Sequence, residues 1–179
     1  LYDALHPAVA YCGAQNEYLI VWEGDDNTAA LVEGETEIFA QRLNAATGAE
    51  VGTNDFRVSD AGSDGDPLYD ADLPAVAFAG GPNEYLVVWE GDDNIGGLVE
   101  GETEIFGQRI SAVTGAEVGT NDFRLSDMGP NGSGVYDAIE PSVAYAAGEN
   151  EYFVVWAGDD DSNGMVDGEY EIFGQRVAG

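Results

Sequence analysis

Residues 158–173, GDDDSNGMVDGEYEIF, place oxygen-bearing side chains at alternate positions: Asp159, Asp161 and Asn163, then Gly164 and, further on, Asp167. Carboxylates and an amide spaced this way, with a glycine for the tight turn, can wrap a hard cation, and the backbone carbonyl of Met165 would add an oxygen. The predicted cofactor is Ca2+. Two earlier loops follow the same plan, with Asp25, Asn27 and Glu33 in the first and Asp92, Asn94 and Glu100 in the second. Their fifth positions are Ala29 and Gly96, which offer no side-chain oxygen. The plainer reading of all three is a solvated acidic turn that keeps sheet edges apart. A further acidic group, Asp60, Asp64 and Asp66, thins to Asp127, Asn131 and Ser133 one unit later, and Asp3, Asp70 and Asp137 recur in YDA, where they could cap a turn or add to a cation shell.

Other chemistry has little to work with. His6 is the sole histidine and Cys12, in the apolar run VAYC, the sole cysteine. Serine–histidine triads and histidine- or thiolate-bound zinc are therefore excluded, and Cys12 reads as a buried inert thiol. Paired carboxylates could hydrolyse glycosides. The conspicuous ones recur in every unit, however, whereas a catalytic pair belongs once in one cleft. The expectation is that the chain is not an enzyme.

The 179 residues carry 35 Asp plus Glu against 5 arginines and no lysine, a formal net charge of −30. That surface repels nucleic acid and anionic lipid, whose recognition rests on Lys and Arg. Cations or a high-salt habitat would both relieve the self-repulsion, and acidity alone does not separate them. At 44% hydrophobic residues the chain is too apolar for an acidic disordered tail. No apolar run approaches the ~18 residues of a membrane span, so no membrane insertion is expected. The absence of an initiator Met and of a signal-like start suggests a processed product or a piece of a longer chain.

These residues lie in a repeat. EYLIVWEGDDN, EYLVVWEGDDN and EYFVVWAGDDD begin at 17, 84 and 151, and EIFAQR, EIFGQR and EIFGQR at 37, 104 and 171, steps of 67 residues. Residues 33–57 and 100–124 differ at only four positions. The units run 1–67, 68–134 and 135–179, together one structural domain, and the last stops before a counterpart of EVGTNDFR. Each full unit reads as four short strands: PAVAYC and EYLIVW joined through GAQN, EIFAQRLNA and EVGTNDFRVS joined through ATGA. The predicted class is all-β, with four-stranded antiparallel blades in a β-propeller-like incomplete ring or open array. Trp22, Trp89 and Trp156 should fill the space between sheets. The five arginines, all at repeat positions, should pair with framework carboxylates such as Glu37, Glu104 and Glu171.

The pattern P-x-V-A…VVW…IFGQRV resembles bacterial secreted and cell-surface β-propeller-type repeats, and the spacing D-x-D-x-N-G-x-x-D resembles the nine-residue calcium loop of integrin-type FG-GAP repeats. The function expected is an extracellular or cell-surface structural or adhesive protein, stabilised by calcium. It would form a homo-oligomer or polymer by strand addition at the open blade edge. The alternative is a lectin-like module that binds extracellular glycans through Tyr, Trp and loop carboxylates.

Overall fold

The computed structural model describes residues 3–26, 30–160, 166 and 168–179. Eleven strands form three antiparallel sheets. Strands β1 (Ala4–Cys12), β2 (Glu17–Asp25), β3 (Thr36–Asn44) and β4 (Glu50–Arg57) make the first blade. Strands β5 (Ala71–Ala79), β6 (Glu84–Gly91), β7 (Glu104–Ser111) and β8 (Glu117–Arg124) make the second. Strands β9 (Ala138–Ala146), β10 (Glu151–Gly158) and β11 (Glu171–Ala178) make a three-stranded third. The first strands of successive blades touch, β1 against β5 and β5 against β9, so they lie innermost and the sheets fan outward from them without closing. No helix among the described residues is long and apolar enough to cross a membrane.

Alternation along the second strand of each blade builds the two interfaces. In β6, Tyr85, Val87 and Trp89 join Leu19, Val21, Ile38 and Ala40 of the first blade. Leu86 and Val88 turn the other way and join Tyr152, Val154 and Trp156 of the third. A strand buried on both faces needs apolar residues at every position, which explains the run YLVVW. Each tryptophan stacks on the phenylalanine paired with it across the sheet, as Trp89 does on Phe106 at 6.4 Å and 19°. Strand β2 continues past Trp22 to Asp25, three residues beyond the expected end, because Glu23, Gly24 and Asp25 stay paired with β3.

The arginines are framework residues, with partners that differ from those expected at the QR positions. Arg42 bonds Glu17 (2.7 Å) and Arg176 bonds Glu151 (3.0 Å), both on the adjoining second strand. Arg57 and Arg124 approach Glu37 (3.5 Å) and Glu104 (3.8 Å). Glu37 is itself buried, accepting bonds from the Ser59 hydroxyl and the Ala61 amide, and so holds the outgoing chain against β3. Burial pushes its carboxyl up to about 7 despite those donors. Asp122 in β8 is likewise pushed to about 7 by burial, with Glu117, Asp60 and Asp93 adding negative charge. Cys12 is buried, and its thiol donates to Gln15 (2.8 Å), as an inert core thiol would.

Candidate functional site

The acidic loops turn their leading carboxylates inward. Asp25 accepts the amides of Asp3 (2.6 Å) and Gly34 (3.2 Å), and Asp92 those of Asp70 (2.9 Å) and Gly101 (2.7 Å). The Asp3 amide, more than any other contact, holds the Asp25 carboxyl below its ordinary range. Each of these aspartates therefore closes its own loop onto the start of the blade. Asp159 accepts from Gly168 (2.7 Å), but its other oxygen, Oδ1, is buried without a hydrogen-bond partner among the described residues. Glu33, Asn94 and Glu100 are exposed. Asn27, Asp161, Asn163, Met165 and Asp167 lie outside the described residues. Among the described residues no three His, Cys, Asp or Glu side chains gather closely enough to hold a metal.

A different cluster forms at the axis. Each innermost strand carries an Xaa-Pro step, His6-Pro7, Leu73-Pro74 and Glu140-Pro141, at a bulge where the pairing register skips. The residue before each proline has a left-handed backbone, with φ of 45° at His6, 49° at Leu73 and 54° at Glu140. A side chain before proline resists helical conformations and a non-glycine residue resists positive φ, so these three positions are strained unless their surroundings hold them. The holding group comes from the preceding blade. Glu23 Oε2 accepts the Leu73 amide (2.8 Å), and Glu90 Oε2 accepts the Glu140 amide (2.5 Å). The other oxygen of the buried Glu23 accepts from His6 Nδ1 at 2.7 Å.

Negative charge concentrates beside these bulges. Asp72 stands directly opposite Glu90 in the β5–β6 ladder, a like-charge pair that would be unfavourable with both groups ionised. Burial above all, then the charges of Glu23, Asp70, Glu90 and Asp92, pushes the Asp72 carboxyl up to about 7. Burial also raises Glu90, with Glu140 and Glu23 contributing against the stabilising Glu140 amide. A cavity of about 300 Å³ opens here, lined by His6, Leu73, Pro74, Glu140 and Pro141. The cavity thus offers the Glu140 side chain and the His6 imidazole, and Asp72, part-protonated near neutrality, precedes its lining residue Leu73 in the chain. That set suits proton transfer and the binding of hydroxyl-rich ligands.

The three units stop being copies at these positions. His6, Leu73 and Glu140 are equivalent in the repeat, as are Leu5, Asp72 and Ile139, and Glu23, Glu90 and Ala157. Sequence reasoning did not single out Glu23, Asp72 and Glu90, because the strand register that sets Asp72 opposite Glu90 and the bulges that bring Glu23 and Glu90 to the next blade's amides are not visible in linear spacing. The signal was available in the columns where the repeat breaks.

No family model matches the chain, and no curated protein matches it significantly. Solved structures do share its fold. A thermostable family-43 glycoside hydrolase matches at TM-score 0.58 and 13% identity over 97% of this chain and 54% of that one. The Hadza microbial sialidase Hz136 matches at TM-score 0.62 and 11% identity, over 89% of this chain and 32% of that one. The endo-1,5-α-L-arabinanase from Thermotoga petrophila RKU-1 matches at TM-score 0.53 and 15% identity, over 99% and 39%. The chain therefore spans about half or less of the length of these structures, and at such identities the likeness is one of fold, a β-propeller. It overturns the expectation that the chain is not an enzyme, since this fold serves glycoside hydrolases and a sialidase. The recurrence of carboxylates that supported that expectation is also incomplete, since Asp72 and Glu140 have no acidic counterpart in the other two blades.

Proposed function

We propose that the chain is a carbohydrate-active propeller unit whose axial end receives a glycan. The observation that carries this reading is an open cavity lined by His6, Leu73 and Glu140, the strained column in which all three blades differ, with the acidic pair of Asp72 and Glu90 on the strands beside it. Asp72, part-protonated near neutrality, is the candidate acid toward a glycosidic oxygen, and Glu140, lining the cavity, is the candidate base. Glu23, clamped between His6 and the Leu73 amide, positions the bulge rather than reacting. The neighbours include an endo-1,5-α-L-arabinanase and a sialidase, so arabinan and sialylated oligosaccharides are the first substrates to offer. Release of sugar from arabinan or a sialylated oligosaccharide, or selective binding on a glycan array, is the expected result. Asp72→Asn should lower turnover by about 10²- to 10⁴-fold, the usual worth of a positioned acid, without lowering the melting temperature. Indifference to every glycan offered would sink the reading, and full turnover in Asp72→Asn would remove the assigned acid.

A second reading, a calcium-stabilised structural or adhesive protein outside the cell, is favoured by one observation. Asp159 Oδ1 is buried and has no hydrogen-bond partner among the described residues, in the loop whose sequence has the fullest set of oxygen ligands. An orphaned buried carboxylate oxygen is costly, and a cation would satisfy it. Asp25 and Asp92, with both oxygens already bonded to amides, have less need of one. EDTA should lower the melting temperature and calcium restore it, with the response lost in Asp159→Asn. A melting curve unmoved by chelation excludes the reading.

A further inference from the structure

We propose that the joint between the first two blades holds a second sugar site, on the outer rim of the fan and apart from the axial cavity, which takes one residue of a neutral polysaccharide. The site goes beyond the axial reading and does not depend on it.

Strand β4, outermost in its sheet, makes the opening. Arg42 pairs with Val51 and Ala40 with Phe56, so Gly52, Thr53, Asn54 and Asp55 stand opposite Gln41 alone and leave the sheet as a wide bulge. Gly52 takes a φ of 83° and Asp55 a φ of 42°, and the buried Gln41 holds the bulge by accepting the Asp55 amide at 2.9 Å. Positive φ at a non-glycine residue is strained, and strained bulges aim side chains at ligands. The opposite wall is the turn that joins β7 to β8. Arg42 Nη2 fastens that turn by donating to the carbonyls of Ala112 and Val113, both at 3.1 Å. Gly115 lies so near that a Cβ on it would stand 3.2 Å from Arg42 Cδ. Between bulge and turn lies a cavity of about 270 Å³, whose lining includes Arg42, Thr53, Phe56 and Glu117.

The polar groups of this cavity are unused. Arg42 is 5% exposed, and its Nε and Nη2 are spent on Glu17 and the two carbonyls. Its Nη1 donates no hydrogen bond among the described residues, and neither the Thr53 hydroxyl nor the Glu117 carboxylate makes one there. An idle donor on a buried side chain is costly, and an acceptor on a ligand would complete the guanidinium. The half-buried Phe56 ring gives the cavity an apolar wall.

Charge and hydrogen bonding select the occupant. Both arginines here are already neutralised, Arg42 by Glu17 (2.7 Å) and Arg57 by Asp60 (2.6 Å) and Asp64 (2.7 Å), in a chain of net charge −30. A simple anion meets no uncompensated cation and has no proton to give Glu117. A cation leaves Arg42 Nη1 without an acceptor, and an apolar molecule leaves both groups unpaired. A sugar ring carries hydroxyls that accept from Arg42 Nη1 and donate to Glu117, and it turns its C–H face to Phe56. Sialylated chains bring a carboxylate into this acidic surface, so the rim selects neutral glycans, arabinan among them.

The test is a nuclear magnetic resonance titration of the isotope-labelled chain with arabino-, xylo- and cello-oligosaccharides and with a sialylated oligosaccharide. A neutral oligosaccharide should shift the amides of Thr53, Gly115 and Ala116, and the sialylated one at equal concentration should not. Thr53 and Glu117 are exposed, so Thr53→Val and Glu117→Ala should fold with unchanged circular dichroism. Glu117→Ala should weaken the binding by about 10- to 100-fold and Thr53→Val by about 2- to 10-fold, the worth of a charged and of a neutral hydrogen bond. Asp72→Asn should leave these shifts intact, so turnover lost with rim binding retained separates this site from the axial one. The proposal is overturned if no neutral oligosaccharide moves these amides at about 10 mM, tenfold above a Kd of about 1 mM. Equal shifts from the sialylated oligosaccharide, or wild-type binding by both variants, would overturn it as well.

Discussion

The folded protein is expected to lose stability as the pH rises from about 4 to about 7, opposite to the trend of proteins whose carboxylates are held by salt bridges. Glu37, Asp72 and Asp122 are each pushed up to about 7, from ordinary values of 4.5 for Glu37 and 3.8 for the two aspartates. Between those limits the folded chain retains protons that the unfolded chain has released. The proton count of the unfolded state minus that of the native state is then negative, and unfolding free energy falls with pH. The advantage is fully present below the unfolded values, is lost as pH rises through the folded ones, and stays flat above them. Each fully shifted group contributes a slope of about 1.4 kcal/mol per pH unit. Self-repulsion among the remaining carboxylates acts in the same direction. Urea titrations from pH 4.5 to 8 measure the slope, and Glu37→Gln should remove about one group's share of it. Stability that rises with pH over this interval would show that the buried carboxyls are ionised in the fold.

Trp89→Ala is expected to cost about 3–5 kcal/mol, the range for deleting a large aromatic from a packed interior. Trp89 is 2% exposed, stacks on Phe106 and belongs to the cluster shared by the first two blades. Trp22 keeps its stack on Phe39 (6.3 Å) but is only half-buried, because its outer face has no blade against it. Trp22→Ala should therefore cost well under half as much when both are measured by chemical denaturation in dilute solution. Equal losses would mean that the tryptophans stabilise only their own sheets.

Much of this architecture was legible in the sequence because it depends on local pattern. Runs such as EYLVVW specify a doubly buried strand by composition alone, and the recurrence of EIFGQR fixes where the next blade begins. Arginines at repeat positions announced framework roles, although Arg42 reaches Glu17 across a strand pair that only the register reveals. The axial site was hidden for a different reason. Glu23, Asp72 and Glu140 lie on different strands and different blades, and their proximity depends on which edge of each sheet faces the axis. The His6-Pro7 and Leu73-Pro74 steps read as ordinary extended dipeptides, yet the fold bends them into bulges with positive φ. The leading aspartates of the loops invite a cation when read in isolation. In the fold, Asp25 and Asp92 are occupied by amides whose positions no linear spacing predicts.

The separation between the columns that join blades and the columns that line the axis affects how such a chain can change. Tyr85, Leu86, Arg42 and Arg109 must be reproduced in every new copy, because each joint uses them in the same way. The position held by Leu73 in one blade and Glu140 in the next can diverge without disturbing those joints, because the bulge is held there through a backbone amide that any residue but proline supplies. Gene duplication can therefore lengthen the array while leaving each new axial position free to acquire its own chemistry.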